Sequence, residues 1–196
     1  MANTSATGGY LTATTSPLDD QALARFMHDV IVGVTGLANE LVRPAWQRNP
    51  PPRPNHDVLW CGFGVLNQTA EAGGSFVKEL DTGLGAEQQR TESFDLLCSV
   101  YGSGCAGLAA AIRDGLEISQ NREQLFLAEM TYVGSGQVVR LPELVNEIWY
   151  ERADVTLTFR RVVRREYAIL NFLNVYGTYT TDTGLTGSWS TQGLTP

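Results

Sequence analysis

A chain of 196 residues with 43% hydrophobic residues and a net charge of −7 fits one domain with long arms, or at most one and a half. The apolar share excludes global disorder. The acidic balance argues against a phosphate-backbone binder, which needs clustered Lys and Arg to displace counterions. No apolar run approaches the roughly 20 residues of a membrane span, and the N-terminal stretch lacks the basic and apolar regions of a signal peptide.

Residues 1–15 are mostly Thr, Ser, Ala and Gly, with Tyr10 and Leu11 the only large apolar side chains besides Met1. They read as an extended arm that has little to bury unless another surface receives it. Ser16-Pro17-Leu18-Asp19 predicts a helix start, with Ser16 as cap, Pro17 at the first helical position and Asp19 as the capping-box acid. Leu18, Ala22, Leu23, Phe26, Met27, Val30, Ile31 and Val34 then recur at helical spacing as one apolar stripe, and Gly36 ends it.

Residues 41–57 contain Pro44, Pro50, Pro51, Pro52 and Pro54. Each proline fixes φ and removes a backbone donor, so a polyproline ribbon is expected, barred from helices and from the middle of a sheet. From Val58 the chain turns strand-like. Leu59, Cys61, Phe63 and Val65 alternate with Trp60, Gly62 and Gly64. Two glycines on one face imply a bulge or a close backbone approach.

A short strand is expected over 75–80 after a Gly73-Gly74 turn, then a polar hairpin loop over 81–89 and a half-buried strand over 92–101. Ser103 is the expected cap of a second helix that turns Leu108, Ala109, Ile112 and Leu116 inward. A short helix over 122–130 follows, then a brief strand over 130–133. A turn at Gly134-Ser135-Gly136 and a single helical turn over 141–146 come next. Residues 148–163 and 167–176 read as two strands paired through an Arg164-Arg165-Glu166 turn. Residues 177–196 read as an extended tail anchored by Tyr179, Leu185, Trp189 and Leu194, with no pattern of its own. The sum is an α+β fold: a largely antiparallel sheet packed against two or three helices, one domain over 16–176, and an arm at each end.

Catalytic groups are sparse. Cys61, Cys98 and Cys105 are odd in number, form no CxxC and sit in apolar surroundings, so buried reduced thiols are expected, which suits a cytoplasm. His28 reads as a helix-edge residue. His56 reads as turn chemistry, because a strand would point it and Asp57 to opposite faces. No nucleophile elbow, P-loop, zinc-protease or dinucleotide motif occurs. Gly102-Ser103-Gly104-Cys105 comes nearest to a nucleophile turn, where a helix N-terminus would favour an anion. No histidine lies near it in sequence. A small cytoplasmic enzyme using Cys105 or Ser103 is therefore the remote alternative. Asp81, Glu87, Glu92 and Asp95 read as solvated acids and not as a converging metal loop. No catalytic residue, cofactor or metal ligand is assigned.

Contact residues are easier to find. Arg43, Trp46 and Arg53 decorate the proline ribbon, and Trp and Arg are the residues most enriched at interface anchors. Two readings stand: an interface, or a loop folded back on its own domain with Trp46 under the first helix. Arg160, Arg161, Arg164 and Arg165 form the only positive run. Arg160, Arg164 and Arg165 are read as a salt-bridge surface toward a subunit or partner, against a solvated hairpin end and, more remotely, a phosphate contact. Arg160 and Arg161 face opposite sides of a strand, so not all four share a face. Tyr10 and Trp189 are the aromatic anchors of the two arms.

Several of these stretches follow one another in a familiar order. They are Gly8 to Leu11, Val34-Thr35-Gly36-Leu37, Val42-Arg43-Pro44-Ala45-Trp46-Gln47, Pro51-Pro52 with Pro54, and Trp60-Cys61-Gly62-Phe63-Gly64. The later Trp149-Tyr150-Glu151-Arg152-Ala153-Asp154-Val155 stretch joins them. The chain resembles the tailed-bacteriophage neck or tail terminator proteins, of the neck terminator type. The resemblance implies a structural virion protein, made in the host cytoplasm and located at the head–tail junction. It implies a homohexameric ring that caps the head-proximal end of the tail tube, docks to head-completion or connector proteins, and lets DNA pass without sequence-specific binding. It implies no cofactor and no catalysis. A neighbouring neck adaptor or stopper, or a tail-tube component, shares these sequence features and is the alternative.

Overall fold

The computed structural model describes residues 3–71, 76–80, 85–169 and 174–192. Helix α1 (Asp20–Thr35) buries Leu23, Met27 and Ile31 and ends at Gly36, which takes a left-handed conformation with φ 67° and donates its N–H to the Val32 carbonyl. The helix starts three residues later than Ser16 as cap would place it. Asp19 occupies the cap position and its side chain makes no cap bond. The reason is a stronger partner: the Asp19 carboxylate accepts from Arg161 Nη2 at 2.7 Å.

A 3₁₀ turn at Asn39–Leu41 leads into strand β1 (Val42–Pro44). This start of the proline ribbon joins the sheet after all, but only at its edge, where a missing proline donor costs nothing. Strand β2 (Trp60–Ala70) runs parallel to β1 and antiparallel to β4. Strand β3 (Phe76–Glu79) pairs with the first residues of strand β4 (Ala86–Tyr101). Of the expected 81–89 loop, residues 86–89 are therefore strand, while 81–84 and the Gly73-Gly74 turn lie outside the described residues.

Helix α2 (Cys105–Gly115) begins after Gly102 and Gly104, at φ 94° and 85°. Gly104, not Ser103, is its cap, because this left-handed turn favours glycine and leaves the Ser103 hydroxyl exposed with no cap bond. The expected 122–130 helix divides into a 3₁₀ turn at Ser119–Arg122 and a short α3 (Glu123–Leu127). Strand β5 (Met130–Ser135) continues through Gly134, which pairs with Thr158 after a bulge at Val133 and does not form a turn.

Strand β6 (Val139–Arg140) is followed by a tight hairpin of β7 (Glu143–Val145) and β8 (Ile148–Tyr150). A helical turn was expected here. Asn146 and Glu147 both have positive φ, 48° and 64°, which makes a two-residue hairpin turn of the type that matches strand twist. Strand β9 (Arg152–Tyr167) is one long strand. It runs straight through Arg164, Arg165 and Glu166, so these residues are strand and not the expected turn. Of the second expected strand, 170–173 lie outside the described residues. Strands β10 (Asn174–Thr180) and β11 (Thr186–Gln192) form a hairpin in the stretch expected to lack a pattern. Trp189 lies over Gly177 directly opposite, and Tyr179 over Gly187. An aromatic ring shielding a cross-strand glycine is a recognised way to hold a glycine-rich ladder.

The fold is α+β with a mostly antiparallel sheet ordered β1-β2-β4-β9-β5. The chain forms two compact units: residues 17–74 with 90–163, and residues 1–16 with 75–89 and 164–196. In the second, the N-terminal arm is tied by Thr14 N–H to the Glu166 carbonyl at 2.8 Å and Ser5 N–H to the Ala168 carbonyl at 3.1 Å.

The first unit contains the main core. Cys61 and Phe63 of β2, Leu96, Cys98 and Val100 of β4, and Val155, Leu157 and Phe159 of β9 form one buried cluster with α1 and α2. Phe94 and Phe159 stack across strands at 5.3 Å. Alternation sends Trp60, Gly62 and Gly64 to the opposite face, where register places Tyr101, Ser99 and Leu97 beside them.

Candidate functional site

On that opposite face the proline ribbon folds back and closes a cleft of about 520 Å³, within the size range of ligand sites. Its floor is the Trp60–Tyr101 cross-strand pair, stacked at 4.3 Å with planes 9° apart. Trp60 is buried, and its Nε1 has no hydrogen-bond partner among the described residues. Three guanidinium groups reach this floor. Arg43 stands 5.8 Å from the Trp60 ring, Arg53 4.9 Å from Tyr101 and 5.0 Å from Tyr150, and Arg152 5.5 Å from Tyr101. Cation–π attraction holds such stacks where water is partly excluded.

The three cations are not equivalent. Arg152 clamps Asp154 with Nε at 2.8 Å and Nη2 at 2.7 Å, and that bond raises its pKa further. Arg53 Nη2 donates to Glu143 of β7 at 2.9 Å. Arg43 donates only to carbonyls, Nε to Glu40 at 2.7 Å and Nη1 to Pro52 at 2.8 Å. It ties the start of the ribbon to Pro52 farther along it and has no carboxylate partner among the described residues.

Trp46 is not under the first helix. Its backbone sits at φ 55° and its ring lies against Gly64, where a Cβ would collide with the indole. This is the close approach that two glycines on one face of β2 imply. The side chain remains 70% exposed. A second cleft, of about 360 Å³, is lined by Trp46 on one side and by Asp20, Leu23 and Ala24 of α1 on the other. Trp46 is thus a ridge shared by two clefts.

The remaining expected contact residues do not line the cleft. Arg160 pairs with Glu71, and Arg164 with Glu87 at 2.9 Å. Arg165 lies beyond Arg164 in β9. Tyr10 is 94% exposed and Trp189 is half-exposed over its glycine. Glu87 and Glu92 accept from arginines and Asp95 accepts from Thr158 at 2.8 Å, so these acids are paired and not merely solvated. Asp81 lies outside the described residues.

Cys105 is buried, and burial raises its thiol pKa above the ordinary value, the opposite of an activated nucleophile. His28 is occupied elsewhere, with Nδ1 2.9 Å from Asp29 Oδ1 and Nε2 3.2 Å from the Asn39 carbonyl. No group of metal-ligating side chains occurs among the described residues. Nor is any described helix long and apolar enough to cross a membrane.

Residue types missed from the sequence are Trp60, Tyr101 and Arg152. They meet only through strand register, which pairs Trp60 with Tyr101. Arg161 was also passed over. It occupies the helix-side face of β9, is 3% exposed, and joins Asp19, the Leu18 carbonyl and Glu92. Its charge at an apolar-face position, in step with Val155, Leu157 and Phe159, was the available signal.

An α+β fold with an arginine- and aromatic-lined cleft under a proline ribbon is the class of scaffold these observations define. The chain belongs to the phage neck terminator protein family, whose model matches residues 21–183. That family is a structural class of phage protein, which places the chain among virion components of the neck. No curated protein matches the chain.

Proposed function

We propose that this chain forms a closed homohexameric ring at the head-proximal end of the tail tube, stops tube growth, and joins the tube to the head-completion or connector proteins. DNA passes through the ring without sequence-specific contact. Family membership over residues 21–183 is the observation that carries this reading. Surface features support it. Phe126 and Leu127 of α3 and Trp46 of the ribbon are largely exposed and offer apolar side chains to a neighbouring subunit. A heterologous contact repeated by rotation closes a ring. The net charge of −7 gives DNA no reason to adhere. Tyr10, Arg43, Trp46, Arg53, Arg160, Arg164, Arg165 and Trp189 are the proposed contact residues toward neighbouring subunits or partners.

The test is a reconstruction of the virion neck with this chain located in density, together with native mass spectrometry of the purified protein. Six copies stacked on the last tube ring are expected. A position between the portal and a separate terminator would overturn the capping role in favour of an adaptor or stopper.

A further inference from the structure

The cleft under the ribbon has a charge pattern that specifies what it takes. Its floor is aromatic and flat, its rim is proline, and its three guanidinium groups face two carboxylates, Glu143 and Asp154, both already engaged. Arg43 is the one left to backbone carbonyls. Its fork geometry suits a carboxylate.

The cleft is also built to keep its shape. Prolines restrict the ribbon's φ angles. Arg43 ties the ribbon to itself through Pro52, and Arg53 ties it to β7 through Glu143. The Ala45 N–H to Phe63 carbonyl bond, 2.5 Å, continues the β1 pairing up to Trp46. A preformed cleft loses little entropy when an extended segment enters it. The Trp46 ridge offers apolar surface on both sides, so an occupant can extend past it.

We propose that this cleft binds an extended, acidic segment of a separate neck protein. One carboxylate is seated on Arg43, and an apolar side chain rests on the Trp60–Tyr101 floor and against Trp46. The inference rests on the reading of the ribbon as a contact surface and adds the chemistry of its partner.

Indole N–H resonances of the full-length protein report on it directly. Trp46 and Trp60 belong to the cleft, whereas Trp149 and Trp189 do not line it. The probes are a capped octapeptide of alternating Glu and Leu, its Gln–Leu and Lys–Leu counterparts, and a ten-nucleotide thymidine oligonucleotide. The Glu–Leu peptide should shift the Trp46 and Trp60 signals, leave Trp149 and Trp189 in place, and bind at least about tenfold tighter than the Gln–Leu peptide. Arg43→Gln should remove that preference, and Arg43→Glu should transfer it to the Lys–Leu peptide. Arg43→Lys, which keeps the charge and loses the fork, should fall between. An unchanged amide spectrum outside the ribbon shows that each variant is folded.

Equal binding of the Glu and Gln peptides overturns the proposal, as does the absence of shifts at Trp46 and Trp60. Tighter binding of the oligonucleotide at the same resonances assigns the cleft to phosphate and also overturns it. Native mass spectrometry of the same samples keeps the two readings apart. Peptide binding without rings removes the ring and leaves the cleft. Rings that dissolve on Arg43→Gln, with no peptide shift, assign the cleft to a second copy of this chain and overturn the separate partner.

Discussion

Replacing Trp46 with alanine separates a brace from a contact. With 70% of its surface exposed, the side chain buries less than a third of itself. Taking a full tryptophan as about 250 Å², that is about 75 Å² of contact, and at about 25 cal/mol per Å² the loss is about 2 kcal/mol at most. Domains of this size have about 5–15 kcal/mol in reserve, so Trp46→Ala should stay folded. The backbone supplies an internal control. At φ 55° an L-residue is strained by roughly 1–2 kcal/mol, and glycine is not, so Trp46→Gly should be more stable than Trp46→Ala by about 1 kcal/mol. Urea unfolding of the three proteins measures both differences. A loss above about 4 kcal/mol for Trp46→Ala would refute the reasoning, since it would require far more burial than the structure shows. If the ring is a contact ridge, the same variant should assemble poorly into virions despite its stability.

Arg161→Met should lower stability by about 3 kcal/mol in urea, because it leaves the Asp19 and Glu92 carboxylates without their shared cation. Adding Asp19→Asn and Glu92→Gln should recover most of that loss; no recovery would mean the cost is packing alone. His28 has its pKa raised, first by the hydrogen bond to Asp29, and both its ring nitrogens face acceptors, which only the imidazolium can satisfy. Its stabilising contribution is therefore complete below about pH 6.5 and is lost as pH rises through the higher folded value. Stability measured from pH 5.5 to 8.5 should fall more steeply in the parent than in His28→Gln. Gly102→Ala should cost more than Gly104→Ala: both positions have positive φ, but only at Gly102 would a Cβ meet the Val58 carbonyl oxygen. Equal unfolding midpoints for the two would contradict this.

What could be read from the sequence follows the range of the interaction involved. The stripe from Leu23 to Ile31 and the stop at Gly36 are local, and α1 appears where they put it. The alternation in 92–101 and 155–159 gave β4 and β9 for the same reason. The start of α1 was misplaced because its cap acid is recruited by an arginine 142 residues away. The hairpin β7–β8 was missed because its turn depends on two non-glycine residues at positive φ, Asn146 and Glu147. Asparagine tolerates that region, but glutamate gives no such signal.

The candidate site divides along the same line. Arg43, Trp46 and Arg53 stood out because a proline-dense segment concentrates interface residue types within a few positions. Their partners did not, because Trp60 and Tyr101 are 41 residues apart and meet only in register. The glycines are the link between the two halves. A sheet face bearing Gly62 and Gly64 has room above it, and only a ribbon that keeps its own shape can use that room without collapsing into it. Prolines supply the shape, and Arg43 bridges Glu40, just before the ribbon, to Pro52 within it. That makes Arg43 the residue through which ribbon geometry and cleft charge are coupled. A change there should alter both the position of Trp46 and the sign preference of the cleft. A change at Arg160, paired to Glu71 outside the cleft, should alter neither.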